Sequence, residues 1–341
     1  MNEAPPSRLR KVSPVRRLMA RPEFGSLAGV ILVFAFFAVV AGDRGFLTPM
    51  GTVNYLEVAA QLGLLASTVS LLMIAGEFDL SVGSMIGAAG MALAIPVAVW
   101  GWPMWAGILL AFAFAALFGY LNGYLVVRTG LPSFIVTLAS LFVLRGGTLG
   151  FTRWITSRTR VSGLHAYAQG DPLSALFSGH PLGVPISIWW WVLLTLVASF
   201  VLLKTPFGNW IFGAGGDPRA AHAVGVPVAR VKITLFVATA VSAALLAVIQ
   251  VLDTGSADVL RGELKELEAI AAAVIGGNLL TGGYGSVIGG SLGALLLGMV
   301  KQGIFFTGIN TDWFKVFLGT LLLAAVLLND YLRKKALEAT R

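Results

Sequence analysis

The sequence predicts an all-α polytopic membrane protein with about ten transmembrane helices. Hydrophobic residues make up 57% of the 341 residues and charged residues only 12%, and the mean hydropathy is +0.85. Soluble globular domains contain about 25% charged residues. Apolar runs of about 20 residues, the length that crosses a hydrocarbon core of about 30 Å, recur along the chain. This composition excludes an ordinary soluble globule.

Apolar runs give ten candidate spans, of which the first, eighth and tenth are short. No linker rich in Pro, Gly or Ser divides them. We therefore expect one transmembrane domain over residues 26–332, a disordered basic tail over 1–25 and a short cytoplasmic tail over 333–341. The predicted spans lie near residues 26–42, 55–76, 80–100, 104–127, 134–152, 186–203, 233–252, 266–281, 284–304 and 313–329.

Basic residues predict the orientation, because Lys and Arg collect in cytoplasmic loops. With an even number of spans, four basic segments share one side: the N-terminal tail, Arg128, the loop over residues 205–232, and residues 333–335. Both termini and the 205–232 loop are therefore predicted to be cytoplasmic. The loops over 153–185 and 253–265 then lie on the opposite side.

The net charge, the cysteine and histidine content and the motifs of the chain limit which partners and sites it can have. The net charge is +8, but the bases stand at the ends of apolar runs, where anionic lipid headgroups attract them, so membrane lipid rather than nucleic acid is the expected partner. The chain has no cysteine and three scattered histidines, which gives no disulfide, thiolate or plausible metal site. No P-loop motif occurs, so ATP would be hydrolysed by a separate chain. We predict no catalytic residue, metal or cofactor.

The polar loop over residues 205–232 contains a predicted short helix. Asp217 is the expected N-cap, Pro218 occupies the first helical position, and Gly225 ends the helix with a positive φ. Small side chains would let this helix enter a narrow groove of a cytoplasmic partner. The residues predicted to make this contact are Gly215, Gly216, Asp217, Pro218, Ala220, Ala221 and Gly225.

Two glycine-rich segments, over residues 76–84 and 276–285, are predicted hairpins between spans and share a short Gly-Ser-x-Ile-Gly pattern. Ionisable groups beside a membrane core tend to be paired or functional. Asp79 or Ser81 could alternatively cap the third span. No acid is expected at mid-membrane depth, because Glu57 and Glu268 lie near outer ends. Candidate pathway or gating residues are Glu77, Asp79, Ser81, Asn122, Gly276, Gly277 and Asn278.

The chain resembles the permease subunits of ribose-type bacterial sugar ABC importers. The resemblance rests on five segments in the same order and spacing over roughly residues 26–332, namely GEFDLSVGS (76–84), LPSFIVTLASLFVLRG (131–146), GNWIFGAGGDPRAAHAVGVPVARVKI (208–233), ELEAIAAAVIGGNLLTGGYGSVIGGSLGALLLG (266–298) and WFKVFLGTLLLAAVLL (313–328).

This resemblance implies a bacterial inner-membrane complex of two permeases, identical or homologous, and two ATPase subunits, fed by a periplasmic sugar-binding protein. It also implies that residues 215–225 are the coupling element that rests on the ATPase, and that the helices surround a central pathway at the dimer axis. The substrate would be a monosaccharide or related polyol. An ion- or proton-coupled secondary carrier and an intramembrane aspartyl enzyme using Glu77 and Asp79 are the alternative functions.

The outer loop before the eighth span departs from the family pattern, since it reads Arg-Gly-Glu-Leu-Lys-Glu-Leu over residues 261–267 where a Gly-Tyr pair is common before Glu-Leu. This loop is more charged than usual, so the resemblance does not identify the sugar. Basic side chains on the outer loops could pair with acids of a binding protein. The candidates are Arg153, Arg158, Arg160 and Arg261.

Overall fold

The computed structural model describes residues 23–310 and 312–338, without the side chains of residues 326 and 328–338. Most of the predicted tail over 1–25 and the last residues of the C-terminal tail lie outside the described residues. In chain order the helices are α1 (Glu23–Ala41), α2 (Pro49–Ile74), α3 (Val82–Trp100), α4 (Met104–Thr129), α5 (Ser133–Thr156), α6 (His165–Ala168), α7 (Ile186–Lys204), α8 (Pro206–Gly216), α9 (Pro218–Ala223), α10 (Val228–Thr254), α11 (Lys265–Ile275), α12 (Val287–Thr307) and α13 (Trp313–Glu338).

The all-α class is confirmed. The described strands are β1 (Arg160–Ser162) and β2 (Ser256–Asp258), which form a two-stranded antiparallel sheet. Eight helical segments of the described chain are long and apolar enough to cross a membrane, and they correspond to the predicted spans one to seven and nine. The tenth prediction falls on α13, whose described apolar part is Trp313–Ala325.

The helices form a buried centre and an exposed periphery. Helices α2, α3, α10 and α12 are mostly buried, whereas most residues of α1, α4, α5 and α7 are at least partly exposed. The exposed side chains are large and apolar, such as Leu109, Phe142 and Leu196, as expected of lipid-facing helices. Small residues bring the central helices together. A Cβ at Gly293, for example, would lie 2.0 Å from the carbonyl oxygen of Ala272.

The loops group at two ends of the bundle, as the sequence predicts. At the end called outer here, Arg44 Nη1 donates to Thr307 O (2.7 Å), Trp105 N donates to Asp171 Oδ2 (3.0 Å), and β1 pairs with β2. The two long loops predicted to share a face are therefore joined. The inner end carries the loop between α2 and α3, helices α8 and α9, and the loop between α11 and α12.

The eighth predicted span, residues 266–281, is wrong as a continuous helix. Helix α11 has 11 residues, which is about 16 Å long and too short to span a bilayer. The preceding residues 255–264, called here the re-entrant segment, follow α3 into the bundle. A Cβ at Gly87 would lie 2.6 Å from Val259 O, and one at Gly83 would lie 2.7 Å from Gly262 O. Helix α11 therefore begins inside the bundle, because the re-entrant segment carries the chain inward first.

Candidate functional site

Helix α9 has the predicted caps. Asp217 Oδ1 accepts hydrogen bonds from the backbone N–H groups of Arg219 and Ala220, both at 3.0 Å, and Pro218 occupies the first helical position. Gly225 has φ +89°, which confirms its predicted positive φ. Most of α9 is exposed, including Ala220, and the following Val224 is 81% exposed. The inner end therefore carries a short, well-capped helix with a free surface.

Ala221 does not contribute to that surface, contrary to the prediction. It is buried and faces Gly213, where an added Cβ would lie 3.5 Å from the Ala221 Cβ. The reason is α8, a helix that the sequence analysis missed. Thr205 caps α8 by accepting from Gly208 N, and Pro206 stands at its first position. The Thr205-Pro206 pair repeats the cap-proline signal of Asp217-Pro218 and could have revealed α8.

Three inner segments meet through glycines, a cluster that we call the glycine junction (Gly76, Gly215, Gly282 and Gly283). A Cβ at Gly215 would lie 1.8 Å from Ile74 O, and one at Gly282 would lie 2.7 Å from the Cα of Gly76. Gly283 N donates to Ile74 O (2.8 Å). The junction thus joins the ends of α2 and α8 to the loop between α11 and α12 through their backbones.

The second predicted hairpin is held by Asn278. Its Nδ2 donates to Ser70 Oγ (2.9 Å) and Ala273 O (2.8 Å), and its Oδ1 accepts from Ser286 N (2.8 Å). Gly276 packs on α12, since a Cβ there would lie 2.3 Å from the carbonyl carbon of Gly289, and Gly277 turns the chain with φ +90°. These predicted pathway residues all hold the shape of the loop.

Glu77 forms an ion pair with Lys232. The two side chains are largely buried, with 10% and 16% of their surface exposed, respectively. Lys232 lies in the first turns of α10, directly after α9 and its connecting residues. The ion pair therefore ties the loop between α2 and α3 to the chain that leaves α9. From the sequence alone, Lys232 falls in a loop, and nothing in its neighbourhood predicts its partner.

Asp79, Ser81 and Asn122, all predicted site residues, are brought together. Asp79 Oδ1 accepts from Ser81 N (2.9 Å) and Ser81 Oγ (2.6 Å), and its Oδ2 accepts from Thr239 Oγ1 (2.7 Å). Asn122 Nδ2 donates to Ser81 Oγ (3.0 Å) and Asn122 Oδ1 accepts from Ser140 Oγ. Ser81 is the N-cap of α3 but makes no side-chain cap bond. Asp79 instead binds the Ser81 N–H and also links α3 to α10.

This polar network lies within the bundle. Asn122 is seven residues from the end of α4 and Ser140 seven residues from the start of α5, which places both about 10 Å inside the helix ends. Asp79 is 1% exposed and Glu77 is 8% exposed. The two acids have separate partners, so they do not form the shared carboxylate pair that an aspartyl enzyme needs.

Two of the four outer arginines are engaged within the chain. Arg261 Nη1 donates to Ser256 O (2.8 Å), Gln250 O (3.1 Å) and Thr254 Oγ1 (3.1 Å), so its guanidinium is held at the end of α10, and its role in docking stays a prediction. Arg160 Nη2 donates to Ser256 Oγ (2.9 Å). Arg153 and Arg158 are exposed and stay candidates for a docking surface.

An intramembrane ion pair was missed by the sequence analysis. Arg145 is the thirteenth of the 24 residues of α5, and its Nη2 lies 3.9 Å from Glu266 Oε1. The expectation that no acid reaches mid-membrane depth is therefore wrong. Glu266 follows the outer loop in sequence, but the re-entrant segment carries it inward to the middle of α5.

The described residues contain no group of three His, Asp or Glu side chains that could hold a metal ion. The apolar spanning helices, with an exposed capped helix at one end, define the class of this protein as a multi-pass membrane protein. The chain matches the family of branched-chain amino acid transport system permease components over residues 51–326, and it belongs to this family.

Within this family, the chain is similar to permeases of sugar transport systems. A ribose import permease protein of Bacillus subtilis is 31% identical, covering 92% of this chain and 94% of the relative. A xylose transport system permease protein of Haemophilus influenzae is 29% identical, covering 91% and 96%. A ribose import permease protein of Escherichia coli is also 29% identical, covering 89% and 92%. No solved structure matches the chain.

The predicted identity is confirmed: the protein is a permease subunit of a ribose-type ABC importer. It is a multi-pass membrane protein, and it is a transporter subunit rather than an enzyme. Such permeases work with separate ATPase subunits and a binding protein. A secondary carrier, which would work alone, is therefore not supported.

Proposed function

We propose that the protein carries a monosaccharide or related polyol from a periplasmic binding protein into the cytoplasm. The relatives named above import ribose and xylose, which supports a pentose-sized neutral substrate. In this proposal both termini and α9 are cytoplasmic, in agreement with the basic residues of the inner loops. The single observation that carries the mechanism is the exposed, capped α9 directly joined to the glycine junction.

Helix α9 is the contact to the ATPase in this proposal. Closure of the ATPase subunits pushes α9, and α8 transmits the displacement because Gly215 at its end contacts Ile74 and Gly283. The Glu77–Lys232 ion pair provides a second connection, from α10 to the loop before α3. Movement of α9 therefore reaches α2 and the loop before α12 through close backbone contacts, and it reaches α10 and the loop before α3 through the ion pair.

A second permease copy or homologue completes the pathway in this proposal, and lipid covers the remaining exposed faces of α1, α4, α5 and α7. One transmembrane domain over residues 26–332 performs the transport. Arg153 and Arg158 contact acidic residues of the binding protein at the outer end. Contacts between exposed charges are screened by salt, so the docking rate is expected to fall as ionic strength rises.

Ala220→Trp tests this proposal. Ala220 lies on the free surface of α9, so the indole is expected to prevent docking while the bundle stays folded. The matched control is Ala166→Trp, because Ala166 is an exposed alanine of the short helix α6 at the outer end. We expect Ala220→Trp to insert normally, lose co-purification with the ATPase and lose uptake of labelled ribose or xylose, whereas Ala166→Trp retains the ATPase.

Normal ATPase association and uptake in Ala220→Trp would overturn the assignment of α9. Loss of ATPase from both variants would mean that α9 has no special role in this contact. Ala221→Trp is a poorer test, because Ala221 is buried against α8 and a failure there would not separate misfolding from lost docking.

A further inference from the structure

Arg145 is a charged residue in the middle of a spanning helix, and its hydrogen-bonding groups are not all satisfied. Its side chain is 25% exposed, and that of Glu266 only 6%. Arg145 Nη2 and Glu266 Oε2 are both buried and have no hydrogen-bond partner among the described residues. Charged groups at this depth are costly unless they are paired or functional, and unfilled hydrogen bonds add to that cost. The pair is therefore not accounted for by stability.

Close packing on α3 holds the Glu266 carboxylate on the buried side of Arg145. A Cβ at Gly83 would lie 1.8 Å from Glu266 Oε2, so only glycine leaves room for the carboxylate. The re-entrant segment and the late start of α11 bring Glu266 to this depth. The carboxylate is enclosed, whereas the Arg145 side chain is 25% exposed although its Nη2 is buried, so Arg145 is the member of the pair that a ligand can reach.

The surface of α5 beside Arg145 combines large apolar side chains with a strip of glycines. Phe142 and Val143, on the inner half of α5, are 66% and 65% exposed and suit lipid. The outer half also exposes Phe151 and Trp154, at 64% and 81%, but it presents Gly146, Gly147 and Gly150 as well, and a Cβ at any of these glycines would meet nothing within 4 Å. No neighbouring helix requires these glycines within the described chain, so they leave an open strip beside Arg145, between the exposed apolar side chains.

We propose that Arg145 is a substrate-binding residue at mid-membrane depth, whose guanidinium donates hydrogen bonds to neighbouring hydroxyl groups of a neutral sugar. Glu266 is its positioning residue. The planar guanidinium suits two adjacent oxygens, and the Glu266 charge makes the pair neutral overall, which favours a sugar over a sugar acid or phosphate. This inference rests on the proposed function and assigns a contact within the pathway.

Gly150→Phe tests the open strip without touching the ion pair. If the strip lines a hydrated passage, the phenyl ring obstructs it, and uptake is expected to fall at least tenfold with the complex intact. The control is Leu196→Phe on α7, where the native leucine is 64% exposed and faces lipid. Unchanged uptake in Gly150→Phe would show that lipid covers the strip, and loss of the permease pair would show that the second copy covers it. Either result would overturn the proposal.

Arg145 itself is tested by Arg145→Gln and Arg145→Lys in the full complex with saturating binding protein. Arg145→Gln is expected to lower sugar uptake at least tenfold while ATPase stimulation by the binding protein is retained, and Arg145→Lys is expected to restore part of the uptake. Equal losses of stimulation and uptake in both variants would indicate a structural role and overturn the proposal, as would wild-type uptake in Arg145→Gln.

The native absence of cysteine permits a direct measurement. A single Gly150→Cys is expected to react with a hydrophilic, impermeant thiol reagent at least tenfold faster than Leu196→Cys, and the sugar delivered by the binding protein should slow that reaction. Equal rates would overturn the proposal. These outcomes differ from a failure of the proposed function, which would appear first as an ATPase that associates normally with Ala220→Trp.

Discussion

Gly215→Ala tests the role of the glycine junction, because this substitution should disturb the junction and leave the rest of the fold intact. The added Cβ would lie 1.8 Å from Ile74 O and 2.7 Å from Gly283 N, whereas an ordinary contact needs about 3.4 Å. Backbone must therefore move by more than an ångström, and the hydrogen bond from Gly283 N to Ile74 O is stretched or lost. Overpacking costs about 1–3 kcal/mol, and a lost buried hydrogen bond costs about 1–3 kcal/mol, so we expect the free energy of unfolding to fall by about 2–6 kcal/mol.

The measurement is reversible unfolding in mixed detergent micelles, together with uptake in vesicles. Gly216→Ala is the matched control, because a Cβ at this neighbouring glycine would meet nothing within 4 Å. We expect Gly216→Ala to behave like the native chain, and Gly215→Ala to be destabilised and to hydrolyse ATP with little uptake. Equal stability and uptake in the two variants would refute the idea that the junction transmits movement from α8.

Three further outcomes are expected. Asp79→Asn should keep most uptake, because an amide oxygen still accepts from Ser81, whereas Asp79→Ala leaves buried donors unpaired and should cost about 1–3 kcal/mol in the same unfolding measurement; equal losses would instead indicate a role for the charge. Glu77→Lys and Lys232→Glu should each lower uptake, and the double exchange should recover part of it; no recovery would show that the pairing is incidental. His222→Cys should react with an impermeant thiol reagent only in inside-out vesicles and Gln169→Cys only in right-side-out vesicles; the reverse pattern would invert the proposed orientation.

Local signals predicted local structure well. The cap at Asp217, the proline that follows it and the positive φ of Gly225 are each determined by the chemistry of a few neighbouring residues, and all three are observed. Most spans were predicted for a similar reason, because the length and hydropathy of a segment alone decide whether it can cross a bilayer. The same reasoning was wrong for residues 266–281, because the apolar pattern there continues past Ile275, where α11 ends.

The pairings within the site could not be predicted because they join distant residues. Glu77 and Lys232 are separated by 155 positions, and neither sequence environment indicates the other. Arg145 and Glu266 meet only because the re-entrant segment follows α3, and that path depends on the missing side chains of Gly83 and Gly87. The glycines predicted close packing of helices, but the element that packs against each glycine is visible only in the folded chain.

The short length of α11 has a consequence for how the protein enters the membrane. A segment of 11 residues that begins with Lys265, Glu266 and Glu268 is too short and too polar to leave the translocon as an independent span. We therefore expect it to enter the bilayer only when α3 and α12 are in place to receive it, as a late step that depends on tertiary contact. Substitutions at Gly83 or Gly293 would then act during biogenesis, by leaving α11 outside the bundle before any transport cycle begins.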